Sequence, residues 1–460
     1  MRPKVAVIGL DCADPDLVFS RWRDQLPTLA GLMDAGLWGP LRSVDPPITV
    51  PAWTCMLTSR DPGELGIYGF RNRTGHVYSS LATADATSVR VDRVWEHLGR
   101  AGRHVVLVGV PQTSPPFPVN GELVSCFLTP DTRTHDYTYP PELRHEIERL
   151  VGTYKVDVQN FRSEERDRIL AEIFEMTEQR FAVARHLLST RPWDFFMMVE
   201  IGVDRIHHAF WRFSDPAHPR HEPDHRYRDV IRSYYQYLDD AIAELLELFD
   251  DDTLVMVVSD HGAQPMVGAV CINEWLQREG YLVLKEPVVG RTPFRAELVD
   301  WRRTRAWGEG GYYSRIVLNV RGREPEGTVD PEAYEALRDE LIEKLEALPG
   351  PEGEPLGTRV HRPEALWRTT EGYPPDLLAY FGDLTWRSNG SLGMGSVYTF
   401  DNDTGPDDAN HAKHGVCIAA GPGITPGRRD DLSLLDVAPT ILEAMGHPRV
   451  IGMQGRSLLG

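Results

Sequence analysis

No apolar run in the 460 residues is long enough to span a bilayer. The N-terminus passes directly into the apolar stretch Val5 to Leu10 and meets Asp11, without the charged, apolar and small-residue succession of a secretory signal. Cysteine is sparse: Cys12, Cys55, Cys126, Cys271 and Cys417 are scattered, odd in number and never spaced as CxxC, which points to reduced thiols and a cytoplasmic protein. Basic residues are in deficit, 49 against 68 acidic, and the net charge of −19 removes the broad attraction that a nucleic-acid polymer or an anionic membrane requires. A small anionic substrate held by local attraction remains compatible with that charge. GxSxG is absent, which excludes the usual serine-hydrolase elbow, and so is the GxxxxGK[ST] of a P-loop. There is no internal repeat or low-complexity tract, and no sign of oligomeric state.

What is present is an alternation. Short apolar runs at Val5 to Leu10, Val105 to Val110, Phe195 to Val199, Leu254 to Val258 and Val416 to Ala420 have the length and composition of buried strands. Helix-like stretches such as Asp167 to Leu188 and Tyr227 to Phe249 separate most of them. This predicts an α/β fold with a mostly parallel sheet sandwiched by helices. The rhythm breaks after Pro265. Residues 265–386 hold a Pro/Gly-punctuated stretch and one strand-helix unit, Ile316 to Val320 and Pro331 to Leu348, so they are expected to form an inserted cap between a core of 1–264 and its C-terminal part, 387–460. A proline- and threonine-rich stretch, Pro111 to Pro141, is expected to cross the active face as a loop.

Ligands of parallel sheets bind at the carboxyl ends of the strands. Asp11, Asp204 and Asp260 each follow an apolar run there. One such aspartate is ordinarily a turn former or helix cap; three, two of them beside histidine, suggest a metal centre. Asp204 and His208 in IGVDRIHHAFW are four apart, on one face of a helix, which favours His208 over His207. Asp260 and His261 in VMVVSDHGAQP meet a glycine that lets the backbone turn beside a ligand. DDANHAKHGVCIAAGPGI adds His411 and His414 before another strand. Mixed imidazole and carboxylate ligands suit Zn²⁺, with manganese or iron as alternatives, and two such ions would keep the site attractive to phosphate within an acidic protein.

In SVDPPITVPAWTCMLTSRDPGELGIYGF, Pro51 stands at a favourable first helical position, so Thr49 lies at or near a helix N-terminus. Free N–H groups and the macrodipole there stabilise an alkoxide or a bound phosphate, although the same position suits an ordinary threonine cap.

Taken in order, Asp11, TVPAWTCMLTSRDPGELGI, Asp204 to His208, SDHG and NHAKHGVCIAAGPGI resemble the type I phosphodiesterase and nucleotide pyrophosphatase branch of the alkaline phosphatase superfamily. The C-terminal LLDVAPTILEAMGHPRVIGMQGRSLL is similar to that superfamily's closing signature. The resemblance implies a metal-dependent phosphodiesterase or nucleotide pyrophosphatase that works through a covalent phosphothreonine on Thr49 and acts on a small phosphoester. It also implies two divalent ions, one held by Asp11, Thr49, Asp260 and His261, the other by Asp204, His208 and His411. His411 is preferred to His414 because the family's ligand histidine stands three residues before Gly-Val, as His411 does before Gly415-Val416.

Two departures bear on substrate. Val50-Pro51-Ala52 follows Thr49 where animal members have Phe-Pro-Asn, and Tyr68-Gly69-Phe70 stands where they carry a phosphate-binding asparagine. Asn72 is the nearest amide. Trp53, Tyr312, Arg315, Arg387 and Asn402 are further candidates for substrate binding, and Trp53, Tyr68, Tyr312, Tyr313 and Trp386 for stacking on a planar leaving group. The alternatives are a phosphomonoesterase acting on a small metabolite of a biosynthetic pathway and a catalytically inactive metal-binding module. Sulfatases need CxPxR, which neither Cys12-Ala13-Asp14 nor Cys55-Met56-Leu57 supplies, and the related phosphoglycerate mutases use serine.

Overall fold

Strands covered on both faces carry mostly apolar side chains, and the inner strands of the central sheet are buried along nearly their whole length. The computed structural model describes residues 3–459. Its largest sheet contains, in chain order, β1 (Lys4–Leu10), β2 (Leu37–Arg42), β3 (Val105–Val108), β4 (Gly121–Val124), β5 (Thr138–Tyr139), β6 (Phe195–Glu200), β7 (Thr253–Val258), β8 (His414–Ala420), β9 (Gly427–Arg428) and β10 (Leu432–Ser433). Across the sheet the order is β9-β2-β8-β7-β1-β6-β3-β4-β5, with β10 also pairing β2. Strands β7, β1, β6, β3 and β4 run parallel in succession, and β8 is antiparallel to both its neighbours.

Alternation along β1 divides the interior in two. Ala6, Ile8 and Leu10 join one hydrophobic cluster, packed by helices Pro27–Ala35, Arg166–Thr190, Gly202–Ser214 and Val230–Leu246. Val5 and Val7 join the other, packed by Thr49–Thr58, Val94–Arg100 and Val437–Ala444. The sheet is therefore the middle layer of three, the arrangement the alternating sequence predicts.

The stretch 111–141 is not simply a loop over the active face. It supplies β4 and β5, which extend the sheet at one edge, with Leu123 and Val124 buried. Such short strands among prolines leave too little periodicity to register in the sequence.

Beyond Gly262 the chain builds a third hydrophobic cluster, from Val270 to Val397. It lies around an antiparallel sheet ordered Ala306–Glu309, Ser314–Leu318, Leu377–Tyr380, Arg359–His361, packed by the helix Tyr334–Glu346. A two-stranded ribbon, Gly262–Pro265 with Ala409–Ala412, brings the chain back, pairing Ala263 with His411.

Candidate metal centre

Strand order explains why three aspartates separated by some 250 positions meet. β7, β1 and β6 are adjacent and parallel, so their carboxyl ends lie side by side, and Asp260, Asp11 and Asp204 leave from those ends. All three are buried. The ribbon register carries His411 beside His261, and their rings stack with centroids 3.7 Å apart.

Helix α1 (Thr49–Thr58) begins at Thr49 itself, two residues before Pro51, and the backbone of Ile48 is extended. The hydroxyl is therefore on the first helical residue. Backbone N–H groups in this turn have no carbonyl of the helix to bind, and Pro51 has none to offer. Thr49 Oγ1 lies 3.3 Å from His261 Nε2. Helix α2 (Gly202–Ser214) presents Asp204 and His208 on one face, with His208 Nε2 3.2 Å from Asp204 Oδ1.

The three imidazoles share one orientation. His261 Nδ1 faces the Gly262 carbonyl at 3.1 Å, His411 Nδ1 the Pro47 carbonyl at 2.9 Å, and His208 Nδ1 the Asp407 carboxylate at 2.6 Å. In each, Nδ1 thereby has an acceptor for its proton and Nε2 is the nitrogen turned toward the centre. The Nε2 atoms lie among carboxylate oxygens: His261 is 3.1 Å from Asp260 Oδ2 and 3.9 Å from Asp11 Oδ1, and His411 is 3.6 Å from Asp204 Oδ1. Two groups are tight enough to share an ion, Asp11 with Asp260 and His261, and Asp204 with His261 and His411. His261 belongs to both, and His208 joins the second through Asp204.

A direct test of whether a cation fits is where the buried polar atoms go unsatisfied. Asp11 Oδ1, Asp260 Oδ2 and His411 Nε2 are buried without a hydrogen-bond partner. The opposite oxygens of the two aspartates are used, Asp11 Oδ2 by the Trp53 indole N–H at 2.7 Å and Asp260 Oδ1 by the Cys12 backbone N–H at 3.2 Å. Leaving such atoms empty is costly in a protein interior, and divalent cations, one at Asp11 and Asp260 and one at His411, would satisfy them.

The electrostatics agree. Burial, then the charge of Asp204, pushes the Asp11 carboxyl well above the usual range, and burial followed by Asp11 does the same to Asp260. Burial holds His261 and His411 below the ordinary histidine value, and so neutral and ligand-ready. Burial opposes ionisation of Asp204, yet His208 and Arg205 hold it well below the carboxylate range. Burial likewise opposes the charged form of His208, but Asp407 and Tyr312 outweigh it.

The remaining candidates separate. His207 is turned away onto the Tyr235 hydroxyl at 3.2 Å, and His414 is exposed at the start of β8. Both ends of the Asn72 amide are engaged in its own loop, accepting from Tyr68 N at 2.7 Å and donating to the Gly69 carbonyl at 2.9 Å. Arg315 pairs with Glu309 at 2.9 Å and donates to the Arg71 carbonyl. Trp53 is fully buried beneath Asp11, which corrects its expected place on the substrate: its indole supports a carboxylate. Tyr68, Tyr313 and Trp386 are likewise buried in hydrophobic clusters and offer no face for stacking. Tyr312 does reach the centre, its ring stacked on His411 at 3.9 Å. Arg387 and Asn402 stand one step behind it, both directed at Asp407, at 3.5 and 3.3 Å.

Asp407 was not a candidate from sequence, although it lies in the histidine-rich DDANHAKHG segment. It accepts from His208 and Arg162 as well as from Arg387 and Asn402. Arg162 and Arg205 were missed too. Arg205 pairs with Asp204 and with Asp157, the latter at 2.7 and 2.9 Å, and packs over Phe161. Neither arginine stands in a recognisable pattern.

Carboxylates and neutral imidazoles gathered at the ends of parallel strands, around a threonine that opens a helix, define a phosphoester hydrolase of the α/β class. The type I phosphodiesterase / nucleotide pyrophosphatase family matches residues 5–415, and the chain belongs to it. Solved structures similar in fold include human ectonucleotide pyrophosphatase / phosphodiesterase 5, with 14% identity and a TM-score of 0.55, covering 97% of this chain and 96% of that one. The murine protein matches with 15% identity, a TM-score of 0.56 and the same coverage, and an inactive variant of it in complex with AMP with 14% and 0.57. At such identity the likeness carries the fold. No curated protein matches the chain.

Proposed function

We propose that the protein hydrolyses a small phosphodiester, of the nucleotide pyrophosphatase type, with Thr49 as nucleophile and a phosphothreonine as the covalent intermediate. The observation that carries the reading is Thr49 Oγ1, on the first residue of a helix and 3.3 Å from His261 Nε2, beside a cage of three aspartates and three histidines. Asp11, Asp260, His261 and Thr49 would hold one divalent ion, and Asp204, His208 and His411 a second; nitrogen and oxygen donors together favour zinc, with manganese or iron as alternatives. Such ions supply a lowered pKa for the threonine hydroxyl and neutralise charge on the phosphoryl group.

The chain's own residues do the rest. The Thr49 hydroxyl gives its proton up to solvent as its oxygen attacks phosphorus, while the first-turn N–H groups of α1 orient a phosphoryl oxygen. The bond to the leaving group breaks, and its electron pair stays on the departing oxygen. Water then attacks phosphorus and loses a proton, the electron pair of the broken bond stays on the Thr49 oxygen, which is reprotonated, and two inversions leave configuration retained overall. AMP bound to the murine relative supports a nucleotide as substrate. Five buried, unpaired cysteines support a reducing, cytoplasmic compartment, and among the described residues no helix is long and apolar enough to cross a membrane.

Thr49→Ala is expected to abolish hydrolysis of bis(4-nitrophenyl) phosphate while metal content stays at the wild-type level. Undiminished turnover by the metal-replete variant would refute the nucleophile. A strong preference for the mono-ester in the same assay would replace the diester reading with a phosphomonoesterase.

A further inference from the structure

Four side chains form a closed circuit on the His208 side of the centre. Arg162 Nε donates to Asp407 Oδ2 at 2.8 Å, and Asp407 Oδ1 holds His208 Nδ1 at 2.6 Å. His208 Nε2 lies 3.5 Å from the Tyr312 hydroxyl, to which Arg162 Nη2 donates at 2.6 Å. A guanidinium can only donate, so the phenolic oxygen is the acceptor in that last bond and its own proton is free for another partner. His208 Nε2 is distant for the purpose, and it has no lone pair to give once it ligates a cation. With His208 Nε2 given to a cation, the phenol would keep a proton for which the circuit holds no other acceptor.

Its position is defined by ring packing. His261 stacks on His411 with an interplanar angle of 18°, and Tyr312 stacks on the same imidazole at 26° with centroids 3.9 Å apart. Two rings that close to a third, and nearly parallel to it, must occupy its opposite faces. Thr49 approaches His261 at one end of this three-ring stack, and the Tyr312 hydroxyl approaches His208 at the other. The Arg387 guanidinium lies 5.6 Å from the Tyr312 ring, and Tyr312 is only partly buried.

We propose that Tyr312, braced by Arg162, donates a hydrogen bond to the leaving-group oxygen of the phosphodiester. The inference rests on Thr49 being the nucleophile. In an in-line displacement the bond from Thr49 to phosphorus forms on one side while the bond to the leaving oxygen breaks on the other, and the electron pair of the broken bond is left on that oxygen, which takes its proton from solvent. Negative charge therefore develops at the end of the stack where the phenol stands, and a donor whose proton is otherwise unused stabilises it. Arg162 is a positioning residue that orients the phenol through its oxygen.

The test compares Tyr312→Phe with wild type, both metal-loaded, on diesters that share one half and differ in the acidity of the leaving alcohol. A 4-nitrophenolate barely needs the donor, whereas an alkoxide does. The expected loss in kcat/KM is severalfold for the nitrophenyl ester and roughly a hundredfold or more for the alkyl ester. Equal losses on both would overturn the proposal. Inorganic vanadate, whose apical oxygen imitates the leaving oxygen, gives a readout independent of turnover: the variant is expected to bind it about tenfold more weakly and to lose a tyrosine difference spectrum seen on binding to wild type. Unchanged vanadate affinity and spectrum would likewise overturn it. Hydrolysis of both esters by wild type that survives Thr49→Ala would refute the nucleophile on which the proposal stands, a result distinguishable from failure of Tyr312 alone.

Discussion

The Trp53 indole N–H donates to Asp11 Oδ2 at 2.7 Å from a wholly buried position. The ring is packed from below by β1: a Cβ added at Gly9 would come within 2.6 Å of Trp53 Cη2 and 2.8 Å of Val199 Cγ2. Gly9, Trp53 and Asp11 are therefore one mechanical unit, in which a missing side chain makes room for the ring that aims a carboxylate. Trp53→Phe keeps the packing and removes the donor. It is expected to weaken metal affinity by about 10–100-fold with a smaller effect on folding, measured by competition with a chromophoric chelator. Wild-type affinity in the variant would show that Asp11 needs no such support.

Asp407 plays the same part for His208. Asp407→Asn retains the shape and can still accept from His208 Nδ1, but it gives up the charge that faces Arg162 and Arg387. Metal affinity is expected to fall by about 10–100-fold, with the loss confined to one of two ions when stoichiometry is followed by titration. Two full-affinity sites in the variant would remove Asp407 from the second ion's support.

Removing the metal should make stability depend on pH in a defined direction. Burial raises the Asp11 and Asp260 carboxyls in the metal-free protein, with the charge of Asp204 adding to it at Asp11 and that of Asp11 at Asp260. A carboxyl raised on folding is compatible with the folded state while protonated and costs stability as pH climbs from its unfolded value, about 4, through its folded one. Bound cations favour the ionised form and cancel that cost. The gap in Tm between metal-loaded and chelator-treated protein should widen steadily as pH is raised from about 4 to 8. A gap that stays constant over this range would contradict the account.

Asp408 offers a second, metal-independent titration. Both its oxygens are buried without hydrogen bonds, with Arg220 and Arg212 at 3.7 and 3.8 Å, and burial pushes its carboxyl up to about 6 despite them. The folded state therefore binds this proton more tightly than the unfolded state, and stability is lost as pH rises from about 4 through about 6. The stability of Asp408→Asn relative to wild type should increase by on the order of 3 kcal/mol between pH 4 and pH 7. Denaturant unfolding with saturating metal measures it, and a pH-independent difference would mean that folding leaves the Asp408 carboxyl unshifted.

Much of this organisation is written in local pattern. Apolar runs five or six residues long announce β1, β6 and β7, and an aspartate within a few residues past each can be read as a site residue before any pairing is known. The four-residue spacing of Asp204 and His208 survives because a helix converts spacing directly into a shared face. The helix start at Thr49 was legible to within two residues from its prolines.

Other features had no local trace, for physical reasons. Strand direction depends on connections rather than composition, so β8 reads like its neighbours yet runs the other way. The short edge strands β4 and β5 are set by pairing with the sheet, and their prolines mask them. Arg162, Asp407 and Tyr312 stand 245 and 150 positions apart in the pairs that join them, and no periodicity connects such residues. Local sequence establishes which side chains have the chemistry for a hydrolytic centre and at which strand ends they emerge. The choice of which aspartate is braced by an indole, which histidine by a carboxylate, and which tyrosine keeps a proton to offer is made only when the sheet order, the His411 ribbon and the segment around Tyr312 bring their atoms within reach, because hydrogen bonds and ion coordination act over a few ångströms.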